Sequence, residues 1–207
     1  MKELTIDDIA AVYDHRRPGF VGKHRSYSVL MPIVEFEDGL HFLFEMRSRD
    51  LDRQPGEVCF PGGAIEDGET PMQAAIRETM EELGVERKDI TVIDKADSIQ
   101  THANLLLYSY IGLVKTENIR ISEDEVEEIF TVPLSFFMNN EPEMQYANVI
   151  QKVSDDFPYE KINFPQGYKW ANGKADIPIY EYDGKVIWGM TGRLVHDFVQ
   201  VMKGERP

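Results

Sequence analysis

Two apolar runs, YSVLMPIVEF (27–36) and LHFLFEMR (40–47), flank Glu37-Asp38-Gly39. That spacing predicts a β-hairpin turning near Asp38 and Gly39. Ahead of it, IDDIAAVYD (6–14) predicts a short helix, stopped by Pro18 and Gly19. After it, SRDLDRQPGE (48–57) is a charged loop, and VCF (58–60) is a short strand that ends at Pro61-Gly62-Gly63. The period then changes from two to 3.6. Met72, Ala75, Ile76, Thr79, Met80 and Leu83 fall on one mostly apolar helical face. Thr70 is placed to cap this helix, Pro71 to open it, Gln73 to complete a capping box and Gly84 to end it. ITVIDKADSIQ (90–100) and NLLLYSYIGLV (104–114) predict two further strands. SEDEVEEIFTVPLSFFM (122–138) predicts an acidic loop, a strand and a short helix. Residues 139–182 are irregular and rich in aromatics and proline, with a turn expected near Asn172 and Gly173. VIWGMTGRLVHDFVQVMK (186–203) predicts a short strand and an amphipathic C-terminal helix. Repeats, low-complexity tracts and an interdomain linker are absent from the pattern, so one domain over residues 1–207 is expected.

Composition narrows the classes. The chain has 207 residues, 42% apolar and 11% aromatic, enough for a core. Its formal charge of −15 argues against nucleic acid and anionic membrane surfaces as partners. An anionic substrate would need local arginines or bound metal to receive it. Cys59 is the single cysteine, so no intramolecular disulfide forms, which fits a reducing, cytoplasmic setting. The N-terminus does not read as a signal peptide, and no apolar run reaches the length of a membrane span.

The helix after Thr70 carries the chemistry. Glu78, Glu81 and Glu82 occupy an arc of about 100° beside the apolar face. They lie toward the C-terminal half, where the helix dipole disfavours negative charge. A hard divalent cation would resolve that crowding. Mg²⁺ or Mn²⁺ takes carboxylate oxygens and leaves positions for substrate phosphates. Arg77 stands four residues before Glu81 and can restrain it. Gly62 and Gly63 free the backbone just upstream to approach a ligand.

Gly63, five residues, Glu69, seven residues, and then RETMEELGV (77–85) resemble the Nudix box, Gly-x5-Glu-x7-Arg-Glu-U-x-Glu-Glu-x-Gly-U with U apolar. Every charged and glycine position matches, and Thr79 stands at an apolar position. The resemblance implies an α/β/α sandwich with a mixed β-sheet. It also implies Mg²⁺- or Mn²⁺-dependent hydrolysis of a nucleoside diphosphate linked to another group. Carried over by position, Glu78 and Glu82 are the main metal ligands, and Glu81 is a further ligand and a catalytic candidate. Arg77 orients the glutamates. Glu69, with Gly63 and Gly84, supports the loop and helix, and the Gly62 carbonyl is a further ligand.

EMRSRDLDRQPGEVCFPGG (45–63) is similar to the extension of the coenzyme A pyrophosphatase branch, with Gln54 where that pattern has histidine and Glu57 where it has glutamine. Ile187-Trp188-Gly189 and Thr191 resemble the branch's closing segment. The expected substrate is therefore coenzyme A or a relative. ADP-ribose or another nucleoside diphosphate derivative is the alternative, and a non-catalytic nucleotide sensor is a third reading. Arg47 and Arg53 are candidates for phosphate contacts, because arginine grips phosphate with a planar fork. Phe157, Tyr159, Phe164, Tyr168 and Trp170 could stack a base or pack among themselves. Glu125 is the first candidate for general base, with Glu127 and Glu128 as alternatives. A homodimer is expected from the resemblance alone.

Overall fold

The computed structural model describes residues 4–16, 18–117 and 119–206. Helix α1 (Ile6–Asp14) opens on a capping box between Thr5 and Asp8, ends well before Pro18 and buries none of its residues. The hairpin follows as anticipated, with β1 (Arg25–Phe36) antiparallel to β2 (Gly39–Arg47). The next two strands are short, β3 (Val58–Cys59) and β4 (Gly62–Ala64). The glycines therefore do not end a strand. They form one, pairing Val29 with Gly62 and Ser28 with Gly63. Bare backbone lets β4 lie this close. A Cβ on Gly62 would stand 2.4 Å from the Ser28 carbonyl oxygen.

Helix α2 (Pro71–Leu83) has the anticipated ends. The Thr70 hydroxyl accepts from the Gln73 amide, Gln73 reaches back to the Thr70 amide, and Gly84 closes the helix in the left-handed conformation. Thr70→Ala should cost about 1 kcal/mol of stability, measured by urea denaturation. The helix buries Ala75, Ile76, Thr79, Glu82 and Leu83, while Met72 in its first turn stays 43% exposed.

After a 3-10 turn (Arg87–Asp89) come β5 (Ile90–Gln100), β6 (Leu105–Val114), β7 (Val126–Pro133) and the short α3 (Leu134–Asn139). The principal sheet runs β3-β2-β1-β6-β5, with β4 added to β1 and β7 to β2. It is mixed, because β1 and β6 are parallel and the other pairs antiparallel.

Residues 143–187 form a second sheet from β8 (Glu143–Val149), β9 (Gly173–Tyr182) and β10 (Lys185–Ile187). The turn expected near Asn172 and Gly173 is not there. Gly173 begins β9 opposite Val149, and residues 150–172 bridge the two strands. The tight turn is Asp183-Gly184, both at positive φ, which is the Asp-Gly signature of a two-residue hairpin loop. Helix α4 (Gly189–Met202) closes the chain's regular structure.

Helices cover both faces of the principal sheet. On one, Leu30, Val34 and Leu43 pack against Ala75, Ile76 and Leu83 of α2. On the other, Phe42, Phe44 and Phe60 meet Phe137 of α3 and Leu194, Val195 and Val199 of α4. Phe44 stacks on Phe60 and Phe130 at centroid distances of 4.7 and 5.5 Å. Each fully buried phenylalanine contributes about 1.5–3 kcal/mol. The result is an α/β/α sandwich. Among the described residues, no helix is long and apolar enough to cross a membrane.

Candidate active site

Arg77 organises the carboxylates. Its Nε and Nη2 donate to the two oxygens of Glu69 at 3.0 and 3.1 Å. Its Nη1 donates to Glu78 at 2.8 Å and to Glu81 at 3.0 Å, and Nη2 also reaches the Ala64 carbonyl at 3.0 Å. One guanidinium thus ties the end of β4 to the loop before α2 and to two acids on the helix. The bond from Arg77 holds the Glu69 carboxyl below the ordinary carboxylate range. Burial pushes Glu78 the other way, against the pull of Arg77.

Glu82 points inward and is 2% exposed. Its Oε2 accepts the Gly62 amide hydrogen at 2.8 Å. Of Gly62, then, the amide meets a carboxylate, whereas the carbonyl was the group expected to act. Burial raises the Glu82 carboxyl far above its ordinary value, and the charge of Glu45 adds to the effect. Gly63 lies flat beneath Glu78, where a Cβ would come 2.2 Å from Oε1.

The end of α2 also positions Glu125. With Gly84 in the left-handed turn, the Leu83 and Glu82 carbonyls accept the amides of Arg120 and Ser122, each at 2.9 Å. Ser122 starts the turn that carries Glu125, whose carbonyl accepts the Ser48 amide at 2.8 Å. Glu125 is close enough for its charge to raise Glu45, Glu78 and Glu82. The two alternatives are engaged elsewhere, Glu127 with Arg49 and Glu128 with Lys185.

The sequence reading missed Glu45. Phe42 and Phe44 face the α3–α4 side, so period-two alternation turns Leu43 and Glu45 toward α2. Glu45 is 1% exposed, and its Oε1 accepts the Cys59 thiol at 3.2 Å. Its Oε2 has no hydrogen-bond partner. Burial pushes both its carboxyl and the Cys59 thiol upward. Strict alternation along β2 was the available signal.

Among the described residues, no three acidic, histidine or cysteine side chains form a ready-made metal cage. The donor set nonetheless fits a hard divalent cation. The carboxylates are oxygen donors, two of them are almost fully buried, and one buried oxygen is orphaned.

Beside this group opens a cleft of about 550 Å³ that reaches Gly62 and Gly63. Arg25, Arg47 and Arg53 line it, together with Trp188, Met190 and Leu105. The two arginines singled out from the sequence therefore line the same cleft as Arg25. The Arg47 Nε reaches the Arg53 carbonyl at 3.4 Å. Gln54 and Glu57, the two departures from the coenzyme A pattern, bond each other at 2.8 Å, and both line the cleft. The aromatics of residues 150–172 do not line the cleft. Phe157, Tyr159 and Trp170 pack edge-on, as do Phe164, Tyr168 and Trp170, because the long connection has its own apolar surface to cover. Tyr27, Phe60 and Trp188 supply the aromatic surface instead.

Comparison with known proteins agrees with this arrangement. The chain is 26% identical over 209 residues to Nudix hydrolase 3 of Caenorhabditis elegans, covering 97% of this chain and 84% of that one. It is 31% identical over 156 residues to the mouse peroxisomal coenzyme A diphosphatase NUDT7, covering 74% and 63% of the two chains. It is 39% identical over 115 residues to the peroxisomal coenzyme A diphosphatase ndx-8 of C. elegans, covering 52% and 49%. The NUDIX domain model matches residues 24–153, a span that holds the arginine-centred carboxylates, both glycines and the loop of Glu125. The chain belongs to the NUDIX family and is a Nudix hydrolase.

Proposed function

We propose that the protein hydrolyses the diphosphate of coenzyme A to 3′,5′-ADP and 4′-phosphopantetheine. One observation carries this reading: a cleft lined by three arginines and by apolar side chains reaches Gly62, whose amide is bonded to Glu82. Coenzyme A combines phosphates with a long pantetheine arm, which arginines and apolar side chains in one cleft can receive. The mouse and worm relatives named as coenzyme A diphosphatases support the same choice.

Glu78 and Glu82 are the principal metal-holding residues in this scheme, with Glu81 and the Gly62 carbonyl as further donors. Mg²⁺ or Mn²⁺ bound there would neutralise diphosphate oxygens and make water a better nucleophile. Arg77 holds Glu78 and Glu81 by hydrogen bonds, with Glu69, Gly63 and Gly84 fixing its surroundings. Glu125 accepts the proton of the attacking water as its oxygen joins phosphorus and the P–O–P bridge breaks. Arg47 and Arg53 hold phosphate oxygens, and Trp188 and Met190 bear on the adenine or the pantetheine arm.

The test is turnover of a panel containing coenzyme A, acetyl-coenzyme A, ADP-ribose, NADH and nucleoside triphosphates, with Mg²⁺ or Mn²⁺ present. Coenzyme A or its thioester should have the highest kcat/KM. Dominant turnover of ADP-ribose would sink the reading. Tight nucleotide binding with no turnover would instead mark a sensor, a role that has no need of the full carboxylate set. Arg53→Ala should raise KM for coenzyme A about tenfold and change kcat less, since a charge-assisted hydrogen bond contributes about 1.5–3 kcal/mol. The ADP-ribose reading draws on the Gln54–Glu57 pair, which places a carboxylate where the coenzyme A pattern has neutral glutamine.

A further inference from the structure

A buried carboxylate oxygen with no partner is costly in a folded protein, more so among other carboxylates. Glu45 is in that position. It lies on the α2-facing side of β2, opposite Cys59 on β3 and Ile129 on β7. Its exposure is 1%, and Oε2 makes no hydrogen bond. Its other oxygen accepts from the Cys59 thiol, a weak donor that itself lines the cleft. The charges acting on it are those of Arg47, Glu125, Glu78 and Glu82. Arg47 offers no bond to it, and the remaining groups repel it.

The Nudix box alone leaves this residue unexplained. Glu45 stands eighteen positions before Gly63, on a strand whose even-numbered neighbours Phe42 and Phe44 are pure core. A neutral side chain would fill the place without penalty. An acid kept there, with one oxygen held by the thiol and the other free, has a use if positive charge arrives on the α2 side.

We propose that Glu45 is a further carboxylate of the cation shell, presenting Oε2 to a divalent ion or one of its waters while the Cys59 thiol holds Oε1. The inference rests on the metal reading and is independent of which diphosphate is the substrate. It makes Glu45 a positioning residue for the cation. It also links cation binding to fold stability, because the ion relieves repulsion between Glu45 and Glu82.

The experiment uses the whole protein and Mn²⁺ alone, without substrate. Mn²⁺ affinity is measured calorimetrically, and the thermal midpoint is measured in EDTA and in Mn²⁺. Glu45→Gln keeps the shape and removes the charge. It should bind Mn²⁺ about tenfold more weakly or worse, melt higher than the parent in EDTA and gain less from Mn²⁺. Glu35→Gln removes an exposed acid from β1 and should leave all three readings at the parent values. Parental affinity and an unchanged Mn²⁺ gain in Glu45→Gln would overturn the proposal. So would an equal response from Glu35→Gln, which would mark a general charge effect. Failure of Glu45→Gln to fold would also count against it, since losing the charge is expected to relieve the cation-free protein. A parent that binds no divalent ion would overturn the metal reading as well, and that outcome is distinct from a parent that binds and a variant that matches it.

Discussion

Glu82→Gln should lower turnover about 10²–10³-fold and leave the fold intact, the scale expected when one charged group that stabilises a transition state is lost. The two halves of this expectation have separate causes. The fold survives because the glutamine oxygen can still accept the Gly62 amide hydrogen that Glu82 Oε2 now accepts. Removing the charge also takes away a buried carboxylate on which Glu45 exerts the largest acidic influence. Activity falls because an amide is a much weaker ligand for a hard cation than a carboxylate. Steady-state kinetics in Mg²⁺ and a thermal melt in EDTA test the halves independently. Near-normal kcat would remove Glu82 from the metal-holding set, whatever the melt showed.

The adjacent glycines should respond to the same substitution in opposite ways. A methyl group on Gly62 would meet backbone, 2.4 Å from the Ser28 oxygen and 2.7 Å from the Val29 Cα. Backbone cannot step aside without breaking the β1–β4 pairing, so Gly62→Ala should lose about 2–3 kcal/mol or more. On Gly63 the methyl would first meet the carboxyl group of Glu78, 2.2 Å away at the end of a flexible side chain. Gly63→Ala should therefore fold, with its unfolding midpoint close to the parent's. Glu78 would be displaced, and a displacement of about 1 Å in a reacting site can cost about 10²-fold in rate. Urea denaturation and kcat on the two variants make the comparison. Equal loss of stability in both would show that Gly63 is held as tightly as Gly62.

How much of this was readable beforehand follows from the kind of interaction involved. The ends of α2 were legible because capping is local: Thr70, Gln73 and Gly84 act on neighbours within one turn. Arg77 and the three helix acids were legible for the same reason, since their spacing fixes their direction. The strand made by Gly62 and Gly63 was not, because it depends on β1 approaching without side chains between, a tertiary fact. Glu45 was half legible. Alternation turned it inward, but only the positions of Cys59, Glu82 and Glu125 reveal what it faces. The aromatic segment misled because composition cannot say whether rings meet a ligand or one another. Residues 150–172 satisfy their own rings, and the cleft draws on Trp188 from the far end of the chain. Asp183-Gly184 and Asn172-Gly173 are similar as local turn signals, and only the pairing of Lys185 with Tyr182 distinguishes them.

The loop of Glu125 hangs from the last carbonyls of α2, through the amides of Arg120 and Ser122, and is pinned on its other side by Ser48. That suspension limits how the protein can be recombined. A chimaera that exchanges residues 119–125 for those of a relative would import its own donor register as well as its own acid. If the register slipped by one residue, the replacement would fail even with a glutamate at the matching position. Helix, loop and the Arg47–Ser48 corner travel as one inheritable cassette, and grafts aimed at new substrates have more freedom along the Trp188 wall.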